Sequence, residues 1–200
     1  MIRAAALAFA LCLSAACAKA AEPEVAIFAG GCFWCVESDF DHVDGVLSTV
    51  SGYIGGTSDN PTYQDHTAFN HREAVRIEFD PGRVSYDQLL FAFFHSVDPT
   101  DGGGQFCDRG HSYTTAIYAV GNAQLEAAEK ARAEAQAELG SRQIVTEIVA
   151  APTFWPAEDY HQDFYQKNPL RYKYYRTACG RDQRIESIWG DAAMKGIKGS

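Results

Sequence analysis

Apolar and polar positions follow a regular pattern over the first half of the chain. The segment "EVAIFAGG" (24–31) is a short apolar run that ends in two glycines, and it predicts a buried strand. The next segment, "FWCVESDFDHV" (33–43), has apolar residues at helical spacing and predicts a helix directly after that strand. "VLSTVSGYIGG" is β-branched and "EAVRIEF" alternates, so both predict strands, with a polar loop between them.

The pattern continues with a second helix and a fourth strand. "SYDQLLFAFFHSV" carries a Leu/Phe face and begins with Ser85 as a candidate N-cap, which predicts a helix. "DPTDGGGQFCDRGH" is too rich in glycine for regular structure, and "YTTAIYAV" predicts a strand. The order from 24 to 120 is therefore βαββαβ, the pattern of a ferredoxin-like two-layer sandwich, and the expected class is α+β.

Further elements follow this unit. "NAQLEAAEKARAEAQAEL" predicts a surface helix, "IVTEIV" a strand, and residues 156–166 a helix. Beyond Lys167 there is no clean period, so an irregular wrapping tail is expected. We find no repeat or linker, and about 180 residues suit one domain, so we expect a single domain over 21–200.

The first twenty residues have the pattern of a secretory signal peptide (1–20). Arg3 precedes an apolar stretch that is too short for a membrane span, and Ala18-Lys19-Ala20 forms a small-residue cleavage site. Lipid attachment at Cys17 is less favoured, because Ser14 stands where a large aliphatic residue is preferred. The sequence therefore predicts export and release into the periplasm.

Charge and cysteine content narrow the function classes. The chain has 17 basic and 26 acidic residues, and removal of 1–20 leaves 15 basic residues and a net charge of −11. Such a balance argues against a nucleic-acid or anionic-membrane surface. Four cysteines remain, Cys32, Cys35, Cys107 and Cys179. An even count in an exported protein first indicates structural disulfides, but a chain of this size scarcely needs them.

Cys32 stands at the turn between the first strand and the first helix. There a thiol meets unpaired backbone N–H groups and the positive end of the helix dipole, both of which favour the thiolate. Cys35, one turn later, is close enough to form a disulfide with Cys32 but has less of this activation. Cys32 is therefore the candidate nucleophile.

Two other interpretations of these cysteines stay open at this point. A thioredoxin-like periplasmic thiol-disulfide oxidoreductase would also use Cys32 and Cys35, although Phe33 and Trp34 between them differ from the small residue and proline of thioredoxin. A metal site needs four ligands at close spacing, and no second close Cys or His pair completes one, so no metal is expected. A non-enzymatic domain stapled by its cysteines is the third interpretation.

Several motifs in order give the chain a specific resemblance. They are "GCFWCVE", "SGYIGG", "NPTYQD", "EAVRIEFDP", "HSVDPT", "DRGHSYTTAIY", "FWPAEDYHQDF" and "KNPLRYKYY". With these motifs the chain, from about Val25 to Trp189, resembles the A-type peptide methionine sulfoxide reductases. The resemblance implies reduction of the S epimer of methionine sulfoxide, free or in proteins, without a metal or organic cofactor.

The resemblance also implies roles for individual residues. Cys32 would be the nucleophile, with Phe33 and Trp34 as the hydrophobic wall that receives the substrate methyl group. Glu73 would be the acid. Tyr63 and Tyr113 would donate hydrogen bonds from their hydroxyls, and Asp108 would line the same site. These roles suit the chemistry, since a sulfoxide oxygen leaves only after protonation. His161 is interpreted as a structural or surface histidine.

The thiol that resolves the Cys32 sulfenic acid has three candidates. Many members of the family have glycine where this chain has Cys35, which adds a partner close to Cys32. Cys179 lies in the expected tail and is preferred, with Cys35 close behind and a relay through both as an alternative, while Cys107 would either serve or merely pack. An external dithiol, such as a thioredoxin-like protein, would reopen the disulfide. Oxidised proteins are the expected partners, and a monomer is the expected state.

Overall fold

A computed structural model describes residues 22–197, so the predicted signal peptide lies outside the described residues. The strands are β1 (Glu24–Ala29), β2 (Val46–Ile54), β3 (Arg72–Phe79), β4 (Gly104–Gln105), β5 (Asp108–Arg109), β6 (Ala116–Ala119), β7 (Glu147–Ala150) and β8 (Phe154–Pro156). The helices are α1 (Phe33–Asp41), α2 (Tyr86–Phe94), α3 (Asn122–Leu139), α4 (Phe164–Lys167), α5 (Pro169–Ala178) and α6 (Arg181–Trp189). The protein is thus of mixed α/β structure.

Six strands form one sheet in the order β7-β6-β1-β3-β2-β8, and β4 and β5 form a small separate hairpin. The neighbouring strands of the large sheet are antiparallel, except for β6 and β7, which are parallel. β1 lies in the middle, so its side chains are buried on both faces. This position explains its nearly continuous apolar sequence.

The main core lies between one face of the sheet and the helices. Phe28 of β1 packs against Phe40 of α1 and Phe93 of α2, with ring centroids 5.3 and 4.9 Å apart. Burial of each such side chain contributes about 1.5–3 kcal/mol. Ser85 caps α2 as expected, because its side chain accepts a hydrogen bond from the Gln88 N–H and the Gln88 side chain answers with the reciprocal bond. The Phe28 side chain thus joins both α1 and α2 to β1.

The expected irregular tail beyond Lys167 is wrong, because α5 and α6 occupy it. α5 turns Tyr172, Tyr175 and Arg176 toward the rest of the protein, and α6 buries Ile185 and Trp189. The helix expected over 156–166 is also wrong. Residues 154–156 form the edge strand β8, turns follow, and only the one-turn α4 begins at Phe164.

A buried arginine joins this C-terminal part to the first turn of the chain. The Arg181 guanidinium donates to the Gly30 carbonyl at 3.1 Å and to the Ser96 carbonyl at 2.8 Å, and it lies 3.4 Å from the Asp39 carboxylate. Hydrogen bonds and an opposite charge are what a buried guanidinium requires. Among residues 22–197 no helix is both long and apolar enough to cross a membrane.

Candidate active site

Cys32 occupies the N-cap of α1, at the turn that the sequence predicts. The turn runs close to the β4 strand, since a Cβ on Gly31 would lie 2.7 Å from the Gln105 Cβ. Gly31 also has φ +89°, so a residue with a side chain would be strained there. The turn that carries Cys32 therefore lies against the β4–β5 hairpin, and Cys32 is only 7% exposed.

Glu73 of β3 takes the helix N–H group that the sequence analysis associated with Cys32. The Phe33 N–H donates to Glu73 Oε2 at 2.9 Å, whereas the Cys32 side chain accepts no capping hydrogen bond. Glu73 is 2% exposed, and burial raises its pKa to about 8, against the lowering effect of the Phe33 N–H. The carboxyl group therefore keeps its proton at neutral pH, as a general acid requires.

Cys32 and Cys35 are both free and buried, and their side chains share a hydrogen bond. Burial raises the pKa of the Cys32 thiol well above its ordinary value, and its hydrogen bond with Cys35 and the charges of Cys35 and Glu73 add to this. The same hydrogen bond lowers the pKa of Cys35, helped by Arg181 and Arg176. Burial thus opposes the activation that the helix terminus was expected to give Cys32.

Tyr113 and Tyr63 approach Glu73 from two different loops. Tyr113 ends a short 3-10 turn, and its hydroxyl faces the Glu73 carboxyl. Tyr63 is 41% exposed. Partial burial raises the pKa of its hydroxyl, and the charges of Glu73 and Cys32 raise it further. The structure therefore brings the two predicted hydroxyl donors to the nucleophile and the acid.

Asp108 lies on β5 and contacts α5, a helix that the sequence analysis missed. The Tyr175 hydroxyl donates to Asp108 Oδ2 and also lies within hydrogen-bond reach of the Cys32 sulfur. Burial raises the pKa of Asp108, and the Tyr175 hydrogen bond opposes the rise. Tyr175 is therefore a site residue that pattern reading overlooked. The helical spacing of Tyr172, Tyr175 and Cys179 is the signal that would have found it.

The two aromatic residues between the cysteines are adjacent on α1, so their side chains point in different directions. Phe33 is 1% exposed and belongs to the core, so it supports the wall from behind. Trp34 is only partly buried, and its ring stacks on Phe164 at 3.7 Å. Its indole N–H donates to Nδ1 of the buried His161 at 3.1 Å, which gives His161 a structural position. Trp34 thus presents a fixed aromatic face.

Cys107 and Cys179 are joined in a disulfide that links the β4–β5 hairpin to the end of α5. Cys179, the resolving thiol preferred from the sequence, is thus bonded to Cys107 in this state, whereas Cys35 is free beside Cys32. Donor atoms of Cys107, Asp108 and Cys179 lie within 4.8 Å of one another, as metal ligands would. The two sulfurs are bonded to each other, however, so they are not thiolate ligands in this state.

The arrangement limits what chemistry the site can perform. A sulfur nucleophile that accepts an oxygen atom needs a proton donor for that oxygen and a second thiol to remove it afterwards. Glu73, which accepts the N–H of the residue after Cys32, and Cys35, which shares a hydrogen bond with Cys32, are an acid and a second thiol near that sulfur. Fold and site together define a thiol-dependent oxidoreductase.

Comparison with known proteins gives the family. The family described as peptide methionine sulfoxide reductase matches residues 24–193, and the chain belongs to it. Peptide methionine sulfoxide reductase MsrA 2 of Rhizobium meliloti (strain 1021) is 60% identical over 180 residues, which are 90% of each chain. The thioredoxin-like alternative is not favoured by these matches.

Solved structures agree with the family. Methionine sulfoxide reductase A of Corynebacterium diphtheriae is 35% identical, with a TM-score of 0.69 over 74% of this chain and 76% of that one. Mxr1 from Saccharomyces cerevisiae in reduced form is 27% identical, with a TM-score of 0.70 over 74% of this chain and 86% of that one. Mxr1 has also been solved in complex with Trx2.

Proposed function

We propose that this chain reduces the S epimer of methionine sulfoxide, both free and within proteins, with Cys32 as the atom that accepts the oxygen. The observation that carries the proposal is the buried Glu73 carboxyl, which holds its proton near neutral pH at the same helix N-terminus as Cys32. A sulfoxide reductase needs such an acid for the oxygen that leaves sulfur.

The first step transfers oxygen and two electrons between two sulfur atoms. The Cys32 sulfur attacks the sulfoxide sulfur while Glu73 gives its proton to the sulfoxide oxygen, with the Tyr63 and Tyr113 hydroxyls donating hydrogen bonds to that oxygen. The protonated oxygen then moves as a hydroxyl from the substrate sulfur to the Cys32 sulfur while the new sulfur–sulfur bond breaks, so that methionine leaves and Cys32 becomes a sulfenic acid. The proton that the Cys32 thiol releases goes to the Glu73 carboxylate and restores the acid.

The second step removes the oxygen as water. Cys35 attacks the Cys32 sulfenic acid, a disulfide forms between the two sulfurs, and the hydroxyl leaves with one proton. The lowered pKa of Cys35 beside Arg181 and Arg176 supports this role, because the thiolate is the attacking form. An external dithiol then reduces the disulfide by exchange.

A thioredoxin-like protein is the proposed reductant, and oxidised proteins carrying methionine sulfoxide are the proposed partners. The solved complex of Mxr1 with Trx2 supports the first of these for a relative. We also propose that the chain acts as a monomer after export to the periplasm. Arg3, the apolar stretch and the Ala18-Lys19-Ala20 site support export, and a mature N-terminus at Ala21 in periplasmic extracts would test it.

We assign the central four strands to the ferredoxin-like class as part of the same proposal. Their order across the sheet, β6-β1-β3-β2, and the two helices α1 and α2 that connect them support the assignment. This order is what a βαββαβ unit produces when the fourth strand pairs with the first.

The function is tested with the two separated epimers of methionine sulfoxide and dithiothreitol. We expect consumption of the S epimer alone, followed by methionine release. Reduction of insulin disulfides without sulfoxide turnover would instead favour the thioredoxin-like alternative. Inertness toward the sulfoxides and insulin would favour a structural role for the cysteines.

A further inference from the structure

One buried histidine faces the acid of the site and has no part in the steps described above. His66 lies in the loop between β2 and β3, is 2% exposed, and places its Nε2 atom 3.8 Å from Glu73 Oε1. Its ring stacks on Tyr53, with centroids 4.9 Å apart, and Tyr53 pairs with Glu73 across β2 and β3. The imidazole is therefore held by packing against the strands that carry the acid.

The hydrogen bonds of His66 define which nitrogen carries the proton. Nδ1 lies 2.9 Å from the Tyr63 carbonyl, which can only accept, so the proton sits on Nδ1 in the neutral ring. Nε2 then has a lone pair, directed to the side of Glu73 and of the exposed Thr67 hydroxyl, which lies 3.3 Å away. A separation of 3.8 Å leaves no room for a water molecule between Nε2 and the carboxyl. Contacts of this kind in a free enzyme commonly shorten when substrate binds.

From this geometry we propose that His66 is a positioning residue for Glu73: its neutral Nε2 accepts a hydrogen bond from the carboxylic acid and so holds the acid in its protonated form. This inference rests on the proposed function, because Glu73 is an acid only if a proton is delivered to the substrate. The hydroxyl of the exposed Thr67 is the other neighbour of Nε2.

The other groups around the pair set the direction of the effect. Those that face Glu73 are Cys32, Cys35, Asp108, Tyr63, Tyr113 and Tyr53. Those that face His66 are Asp65 in its own loop, His71 at the base of β3 and His161 after β8. Burial lowers the pKa of His66, so the ring is neutral at pH 7 and acts as an acceptor. A hydrogen bond to the protonated carboxyl raises the pKa of Glu73, in the same direction as burial.

The test compares two buried histidines whose ring nitrogens have the same kinds of neighbours, a backbone carbonyl at Nδ1 and a glutamate at Nε2. His95 is 1% exposed, with Nδ1 at 2.8 Å from the Phe91 carbonyl and Nε2 at 3.1 Å from Glu138 Oε2, and its carboxylate partner lies on α3, outside the site. Methionine release from the S epimer is followed in a single turnover of reduced enzyme without reductant, over a range of pH. In His66→Ala we expect the fall in rate at high pH to move down by about one pH unit, because the protonated Glu73 carboxyl loses the hydrogen bond that raises its pKa. In His95→Ala the fall stays in place.

Small molecules separate the hydrogen bond from the space that the ring fills. Imidazole and pyrrole both fit the volume of the missing ring, but only neutral imidazole offers a basic nitrogen. Added to His66→Ala, imidazole should return the high-pH fall toward its wild-type position, whereas pyrrole should not. Equal restoration by pyrrole, or an unchanged profile in His66→Ala, would overturn the inference.

The remaining outcomes are also decisive. If His66→Ala does not fold, ¹⁵N NMR of the histidine rings in the wild-type chain takes its place. We expect a pyridine-like Nε2 for His66 at neutral pH, with a titration that changes in Glu73→Gln, and the opposite tautomer would reject the inference. If wild-type enzyme releases no methionine at all, the proposed function itself fails, which is a different result from an unmoved pH profile.

Discussion

The protein contains two cysteine pairs near one site, and they differ in sequence separation, burial and bonding. Cys32 and Cys35 are three residues apart, buried and free, whereas Cys107 and Cys179 are 72 residues apart and bonded, with Cys107 exposed. The first pair lies among Glu73, Arg176 and Arg181, which adjust its protons. The second ties a hairpin to a helix.

This difference is the basis on which the proposed function gives the first pair a reactive role and leaves the second a structural one. A disulfide that closes a long loop removes much freedom from the unfolded chain, about 4 kcal/mol for a loop of this length. A three-residue loop gains little in this way, so its bond is free to form and break. We therefore expect substitutions in the first pair to affect catalysis and those in the second to affect stability.

The largest effect is expected for Cys32→Ser, because serine has no sulfur to accept the oxygen. Methionine release should fall by roughly a thousandfold or more, the scale on which loss of a nucleophile acts. Chromatography of free methionine after one turnover measures it. Undiminished release would place the nucleophile elsewhere and remove the basis of the comparison.

Glu73→Gln should have the next largest effect, since it removes the proton donor beside the first pair. We expect single-turnover release to fall by about 10² to 10⁴, the range of general acid catalysis. The pKa of Glu73 is raised to about 8, so the protonated acid is present below that pH and is lost above it. The wild-type rate should accordingly fall above pH 8, and a profile of the glutamine variant that kept this fall would assign it to another group.

Cys35→Ser should separate the first oxygen transfer from the later steps. One methionine per enzyme should still appear, because Cys32 and Glu73 remain. Repeated turnover with a thioredoxin should fall by about tenfold or more, since the sulfenic acid then has no neighbouring thiol. A dimedone-type probe should label Cys32 in this variant after substrate is added. Unchanged turnover with a thioredoxin would return the resolving role to Cys179 or Cys107.

The smallest effect on catalysis is expected when both cysteines of the second pair become serine. The free energy of unfolding should drop by about 2 to 4 kcal/mol in urea titrations. Repeated turnover should stay within about twofold of wild type at temperatures below the transition. If turnover with a thioredoxin stopped as in Cys35→Ser, the second pair would be a redox carrier, and the contrast between the two pairs would be lost.

Much of the first half of the fold could be predicted because its elements are marked by apolar side chains. The apolar run of β1 and the Leu/Phe face of α2 are examples, and the position of Cys32 followed from the turn between β1 and α1. α5 was missed because its inward face consists of hydroxyl and charged groups, such as Tyr172, Tyr175 and Arg176. Their partners on other elements satisfy them only after folding.

The site shows the same division between local and distant information. The motif residues could be named from the resemblance, but the hydrogen bond from the Phe33 N–H to Glu73 joins positions 40 residues apart. That contact gives Glu73 a helix N–H group that the sequence analysis had associated with Cys32. The pairing of Cys107 with Cys179 and the approach of His66 to Glu73 are likewise products of tertiary structure, with no pattern in the sequence around them.

The buried Arg181 sets the order in which the protein can be completed. Its guanidinium holds the carbonyl of Gly30, just ahead of the reactive sulfur, although 151 positions separate the two residues. The turn with Cys32 leaves the ribosome early, yet it lacks this brace until almost all of the polypeptide has been made. During synthesis Cys32 is therefore present long before Arg181 can hold its turn. A protein truncated before α6 would retain Cys32 but lack the hydrogen bond from Arg181 to the Gly30 carbonyl.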